Sequence, residues 1–84
     1  MGARVDKEQS RYKYRDVTGL QHFKAEIYAD DTSDIAGVTV FENGTIAADP
    51  DSAAYVHHTG KLYTLDGNSV WRDAADGSEV PSNG

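Results

Sequence analysis

Three histidines are the side chains of this 84-residue chain best suited to metal binding or proton transfer. The obvious place for such chemistry is the pair His57-His58. Neighbouring residues of a strand point to opposite faces, so the two imidazoles cannot chelate one ion together. A zinc site would need His22 and carboxylates to converge from elsewhere, and no ligand spacing indicates that they do. We therefore predict no metal site and no cofactor, with His57 on a half-apolar face and His58 beside a turn.

The acidic stretch 30–34 is the second candidate for chemistry, because Glu42 is the twelfth residue counted from Asp31, as in a calcium loop. Such a loop also needs an oxygen ligand at its fifth position, glycine at its sixth and a helix on each side. This chain has Ile35 and Ala36 at those two positions and no helical pattern around them. The pattern therefore favours a solvated loop on an acidic face over weak calcium binding by Asp30, Asp31 and Asp34.

Catalysis has the weakest support. Asp49 and Asp51 bracket Pro50, but paired carboxylates need different environments and a cleft between them. A turn in which Asp51 or Ser52 hydrogen-bonds local backbone explains this stretch better. No nucleophile motif and no phosphate-binding glycine loop is present. We predict no catalytic residue and no enzyme activity.

Charge is distributed unevenly along the chain. Residues 1–24 hold six basic side chains against three acidic ones, a net charge of +3, and the chain total of −6 leaves −9 for the remainder. So acidic a body repels phosphate backbones, which argues against nucleic-acid binding by the main domain. No apolar run is long enough to span a bilayer, and the N-terminus has no apolar core typical of an export signal. We therefore expect a soluble protein without a membrane partner.

Alternation of side chains predicts strands in the first half of the chain. The run 11–15 interleaves arginine and lysine with Tyr12 and Tyr14, which is typical of single-strand nucleic-acid binders but also of a strand with one aromatic face. The stretch 22–29 alternates again, with Phe23, Ala25, Ile27 and Ala29 on one side. We expect residues 1–10 to be a flexible N-terminal arm and residues 74–84 to be a flexible C-terminal tail.

Asn43-Gly44 lies between two β-type runs and is a strong hairpin signal, since a type I′ turn needs positive φ at both central residues. Closure at these two residues would pair Phe41 with Ile46 and Val40 with Ala47. Pro50 then ends the hairpin, because proline cannot donate to a ladder.

The block 52–73 holds three further strand runs separated by turns at Thr59-Gly60 and near Asp66-Gly67. Tight closure of both turns gives the same two faces in every register considered. One face carries Ala54, Val56, Tyr63, Leu65 and Val70. The other, which we predict to be an interface or binding face, carries Tyr55, His57, Leu62, Thr64 and Trp71. Both faces are substantially apolar, so the second should be covered by other strands, another subunit or a ligand.

These elements predict an all-β protein, with residues 11–73 forming a single domain. We expect a small antiparallel meander of five to seven short strands, curled into a barrel or sandwich, between disordered termini. A chain this short buries only a little over half of the surface that it exposes when unfolded. Such domains usually need disulfides, metals or a partner subunit, and this chain has no cysteine. Self-association is therefore the expected support.

The order Ser52-Ala53-Ala54-Tyr55-Val56, Thr59-Gly60-Lys61-Leu62-Tyr63, Leu65-Asp66-Gly67 and Val70-Trp71 resembles a module of small virion structural proteins of tailed bacteriophages and prophages. The likeness covers about a quarter of the chain. Pro50-Asp51 stands where those proteins usually have glycine before the serine, and Leu62 where valine is common. The resemblance implies a non-enzymatic head, tail or fibre component, found in the virion and, before assembly, in the host cytoplasm.

The function predicted from the sequence is thus structural, through self-association into a homo-oligomer or docking on a capsid or tail partner. One alternative is a small ligand-binding module that uses the aromatic face for a glycan or peptide. Another is a small regulator or inhibitor whose acidic surface mimics nucleic acid and binds a basic host protein.

Overall fold

The computed structural model describes residues 2–80 and is a sandwich of two β-sheets. Nine strands form it: β1 (Ala3–Val5), β2 (Arg11–Arg15), β3 (Gln21–Lys24), β4 (Glu26–Ala29), β5 (Val40–Phe41), β6 (Ile46–Ala48), β7 (Ala53–Val56), β8 (Lys61–Leu65) and β9 (Trp71–Asp73). Within the described range the only helical element is a 3₁₀ turn, Thr32–Asp34. No helix there is long and apolar enough to cross a membrane. The all-β class and the sandwich are as predicted.

The topology is not the predicted meander. The first sheet has the order β1-β4-β7-β8-β9 and the second the order β2-β3-β6-β5. Two central pairs are parallel, β3 with β6 and β4 with β7, so both sheets are mixed. The reason is that two segments, 21–29 and 46–56, lie side by side and each passes from the second sheet into the first, the latter through a turn at Pro50-Asp51. Neither sheet closes into a barrel.

Ser52 fills the corner where the two segments change sheets. Its hydroxyl accepts a hydrogen bond from the Ala25 amide at 2.9 Å and donates to the Asp49 carbonyl at 2.7 Å. Both Ser52 and Ala25 are fully buried. This confirms the predicted local bonding of Ser52, and it satisfies an amide that leaves the strand ladder at the bend.

The core lies between the two sheets. Its largest fully enclosed side chains are Trp71, Ile27, Ile35, Leu65 and Val56. The Trp71 indole donates from Nε1 to the Val38 carbonyl at 2.8 Å, so its one polar atom is satisfied inside the core. Alternation in 22–29 is confirmed, because Ala25, Ile27 and Ala29 are buried and Phe23 packs against the core.

Both terminal segments contribute residues to the sandwich. Residues 3–5 of the predicted flexible arm form β1, which pairs with β4 and buries Val5. In the predicted tail, Val80 inserts into the core and donates its amide to the Trp71 carbonyl. Apolar side chains and backbone hydrogen bonds together dock these mostly polar segments. Residues 1 and 81–84 of these segments lie outside the described range.

The Asn43-Gly44 hairpin has the predicted register, Phe41 with Ile46 and Val40 with Ala47. Asn43 and Gly44 have the predicted positive φ, 59° and 82°, but Glu42 has one as well, 56°, so the turn is wider than the predicted two-residue closure. The hairpin of β2 and β3 instead carries a bulge between Tyr12 and Tyr14.

Candidate functional site

The predicted interface face is only partly assembled. Tyr55, His57, Leu62 and Thr64 do lie together on the outer face of the first sheet, the side turned away from the second sheet. Trp71 does not, because it pairs with Leu65 and is 2% exposed in the core. Its placement on the interface face was wrong.

The turn between β8 and β9 explains this error. It spans five residues, 66–70, with the Asp66 amide bonded to the Val70 carbonyl. The Asp66 carboxylate accepts from the amides of Asn68 and Val70 at 2.8 and 2.9 Å and so closes the loop. Trp71, rather than Val70, is therefore on the core side, since strand parity follows the length of the turn.

A row of side chains crosses the outer face from one strand to the next. It consists of Arg4 on β1, Tyr28 on β4, Tyr55 on β7 and Leu62 on β8, each directly opposite the next in the ladder. We call these four residues the outer row. The Arg4 guanidinium lies 5.1 Å from the centre of the Tyr28 ring, within cation–π range. Tyr55 is 36% and Leu62 47% exposed, so an apolar strip faces solvent.

His57 extends this strip beyond Tyr55. The His57 ring meets Tyr55 edge-on, with centroids 5.1 Å apart, and lies 6.4 Å from the centroid of Tyr28. His58, next to it, is exposed in the turn. The two imidazoles therefore do not share a ligand site.

A cavity adjoins each end of the outer row. The first, of about 270 Å³, is lined by Gly2, Ala3, Arg4, Tyr28, Asp30 and His57. The second, of about 420 Å³, is lined by Lys61, Leu62, Asp73, Ala74, Ala75 and Asp76. The row and its cavities form one continuous uneven surface, apolar in the middle and charged at both ends.

A separate polar cluster lies on the outer side of the second sheet. His22 of β3 contacts two carboxylates at once, with Nδ1 2.7 Å from an Asp49 oxygen and Nε2 2.8 Å from an Asp16 oxygen. We call these three residues the histidine clamp. The Tyr14 ring stacks on the imidazole at 4.4 Å and 5°, and the bulge in β2 turns Tyr14 towards His22.

Charge in the clamp is fixed by this geometry. Hydrogen bonds to Asp49 and Asp16 raise the pKa of His22, because both ring nitrogens must carry protons to donate to the two carboxylates. The pKa of Asp16 is lowered, first by the Thr18 hydroxyl and then by His22. The Lys13 ammonium adds a contact with Asp49 at 3.7 Å.

The clamp has the composition of an acid–base site but not its geometry. His22 is 17% exposed and both of its nitrogens are occupied by carboxylates, so it has no free position for a substrate proton. Among residues 2–80 no group of three or more metal-ligating side chains converges on a point. The clamp joins the turn after β2 to the corner at Asp49, which is a structural task.

The acidic loop is also occupied by structural contacts. The carboxylates of Asp31 and Asp34 cap the 3₁₀ turn reciprocally. Glu42 accepts the Val5 amide at 3.3 Å. The positions counted as a calcium loop are therefore not arranged around a common point.

Sequence reasoning missed Arg4, Tyr28 and the histidine clamp. Tyr28 could have been found, since the alternation in 22–29 places it on the side opposite Ile27, with His22, Lys24 and Glu26. The clamp also had a signal. An aspartate precedes a basic residue by six positions twice in the chain, in Asp16–His22 and Asp66–Arg72. Each aspartate closes a five-residue turn and contacts the basic side chain that follows it.

No known protein family, curated protein or solved structure shows significant similarity to this chain.

Proposed function

We propose that this protein is a non-enzymatic structural component of a phage or prophage virion that self-associates or docks on a capsid or tail partner through its outer row. The observation that carries the docking surface is the apolar strip of Tyr28, Tyr55 and Leu62 in register across three neighbouring strands. Half-exposed aromatic residues at the centre of a flat face are typical of interface cores. The assignment to a virion rests on the resemblance of the block 52–71.

The charge pattern supports a protein partner. Cationic and acidic side chains flank the apolar strip in the two cavities, which matches the polar rim that surrounds the core of an interface. The protein acts, on this proposal, in the virion and in the host cytoplasm before assembly.

Light scattering coupled to size exclusion tests the proposal, with Leu62→Glu as the disruptive variant. The wild type should run above its monomer mass of 9.1 kDa at high micromolar concentration, and Leu62→Glu should return it to the monomer. The matched control is Val17→Glu, which places the same charge on a fully exposed residue of the β2–β3 turn. An oligomer that survives Leu62→Glu would remove the outer row as the docking surface.

A small ligand-binding module is the second candidate, and the first cavity is the observation that favours it. Arg4 over Tyr28, with His57 beside them, offers ring faces and polar groups suited to a glycan or peptide. In that case the chain should stay monomeric, and NMR signals of Tyr28 and His57 should shift on adding the ligand.

A further inference from the structure

The partner of the outer row can be identified more closely, on the condition that the proposed docking through this row holds. We propose that it is a second copy of this chain, related by a two-fold axis that runs parallel to the strands and passes over Tyr55, so that Arg4 of each copy meets Asp76 of the other. A two-fold interface requires a surface that is complementary to itself.

The position of Tyr55 in the first sheet supports this two-fold arrangement. Tyr55 lies on β7, the central strand of the five, with two strands on each side. The outer row reaches Arg4 on the β1 edge. On the other side Ala74 continues the row past Leu62, because the Ala74 amide donates a hydrogen bond to the Leu62 carbonyl. At about 4.8 Å per strand the row spans roughly 19 Å, with the aromatic ring at its midpoint. Rotation about that midpoint exchanges the two ends.

The opposite charges at the two ends of the outer row also support it. Arg4 stands at the β1 end, where the Tyr28 ring holds its guanidinium on the outer face. At the β9 end, Lys61 is paired with Asp73 at 3.4 Å, and the exposed Asp76 adds a further negative charge to the same cavity. This axis therefore places Arg4 of each copy over Ala74 of the other, beside the acidic cavity that Asp76 lines.

The same charges exclude the other face-to-face arrangement of this row. A two-fold axis along the row would set Arg4 over Arg4 and Asp76 over Asp76, and like charges in contact oppose association. With the axis over Tyr55, the Tyr55 rings of the two copies face each other between sheets about 10 Å apart, and Leu62 of each copy lies over Tyr28 of the other.

Charge reversal tests the arrangement, with Arg4→Glu and Asp76→Lys made separately. Either variant alone brings two like charges together twice, so the Kd of its homodimer should rise by at least about tenfold. An equimolar mixture, with one variant ¹⁵N-labelled, should form the mixed dimer almost exclusively in native mass spectrometry, since the mixed dimer restores both ion pairs. Circular dichroism of each variant checks that these exposed substitutions leave the fold intact.

Three results would overturn the inference. Homodimers of both variants as tight as the wild type would contradict the Arg4–Asp76 contact. A statistical mixture, with half of the dimers mixed, would contradict it as well, and so would a wild type that stays monomeric. If Leu62→Glu disperses the wild-type oligomer while charge reversal changes nothing, the proposed function stands and only this geometry fails.

Discussion

The histidine clamp makes the stability of this protein depend on pH through one side chain. The raised pKa of His22 means that folding favours its protonated form. Its contribution to the free energy of unfolding is complete below its unfolded pKa of about 6.5 and disappears as pH rises through the raised folded pKa. Asp16, with its lowered pKa, contributes in full above about 3.9 and loses that contribution as pH falls towards its folded pKa. The clamp should therefore stabilise the fold most between about pH 4 and 6.5.

Urea denaturation of the wild type and of His22→Gln across pH 4.5 to 9 measures this effect. The difference in unfolding free energy between the two should be largest below about pH 6.5 and shrink at alkaline pH. His58→Gln, in the exposed turn, is the matched control and should follow the wild type throughout. A His22→Gln deficit that is the same at every pH would show that the clamp is not held by a proton.

At the scale of the elements, the corner at Ser52 joins the two sheets. Ser52→Ala leaves the buried Ala25 amide without its acceptor, which should lower the free energy of unfolding by about 1–3 kcal/mol. Ser69→Ala, which removes a hydroxyl from an exposed turn residue, should change it by less than about 0.5 kcal/mol. Equal urea midpoints for Ser52→Ala and the wild type would mean that the corner hydroxyl is dispensable.

Alternation identified most strands because a period of two reports directly which side chains face the core. The register of the β5–β6 hairpin was predicted from its turn residues, because Asn43-Gly44 favours one position for the chain reversal. Alternation could not give the parallel pairing of 21–29 with 46–56, since this depends on long-range packing and a Ser52 contact 27 positions away. Trp71 was misplaced for a local reason. The carboxylate of Asp66 closes a longer turn than Asp-Gly or Gly-Asn would form.

In the molecule as a whole, the core contains two apolar side chains that were predicted to lie outside it, Trp71 and Val80. The proposed self-association therefore rests on the outer row alone and no longer on a thin core. Arg4 and Tyr28, rather than the predicted Trp71, complete that surface. The position of the outer row could be predicted from Tyr55 and Leu62. The charged groups at its two ends could not, because they depend on which strands form the edges of the first sheet.

Tyrosine nitration read by peptide mass spectrometry tests docking through the outer row most directly, because the chain carries its own controls. Tyr12 and Tyr14 are 53% and 51% exposed on the second sheet, far from the row. When the protein concentration is raised from low to high micromolar, Tyr28 and Tyr55 should lose labelling while Tyr12 and Tyr14 keep it. Labelling of Tyr28 and Tyr55 that does not change with protein concentration would contradict docking through the outer row. Protection of Tyr12 and Tyr14 instead would contradict it as well.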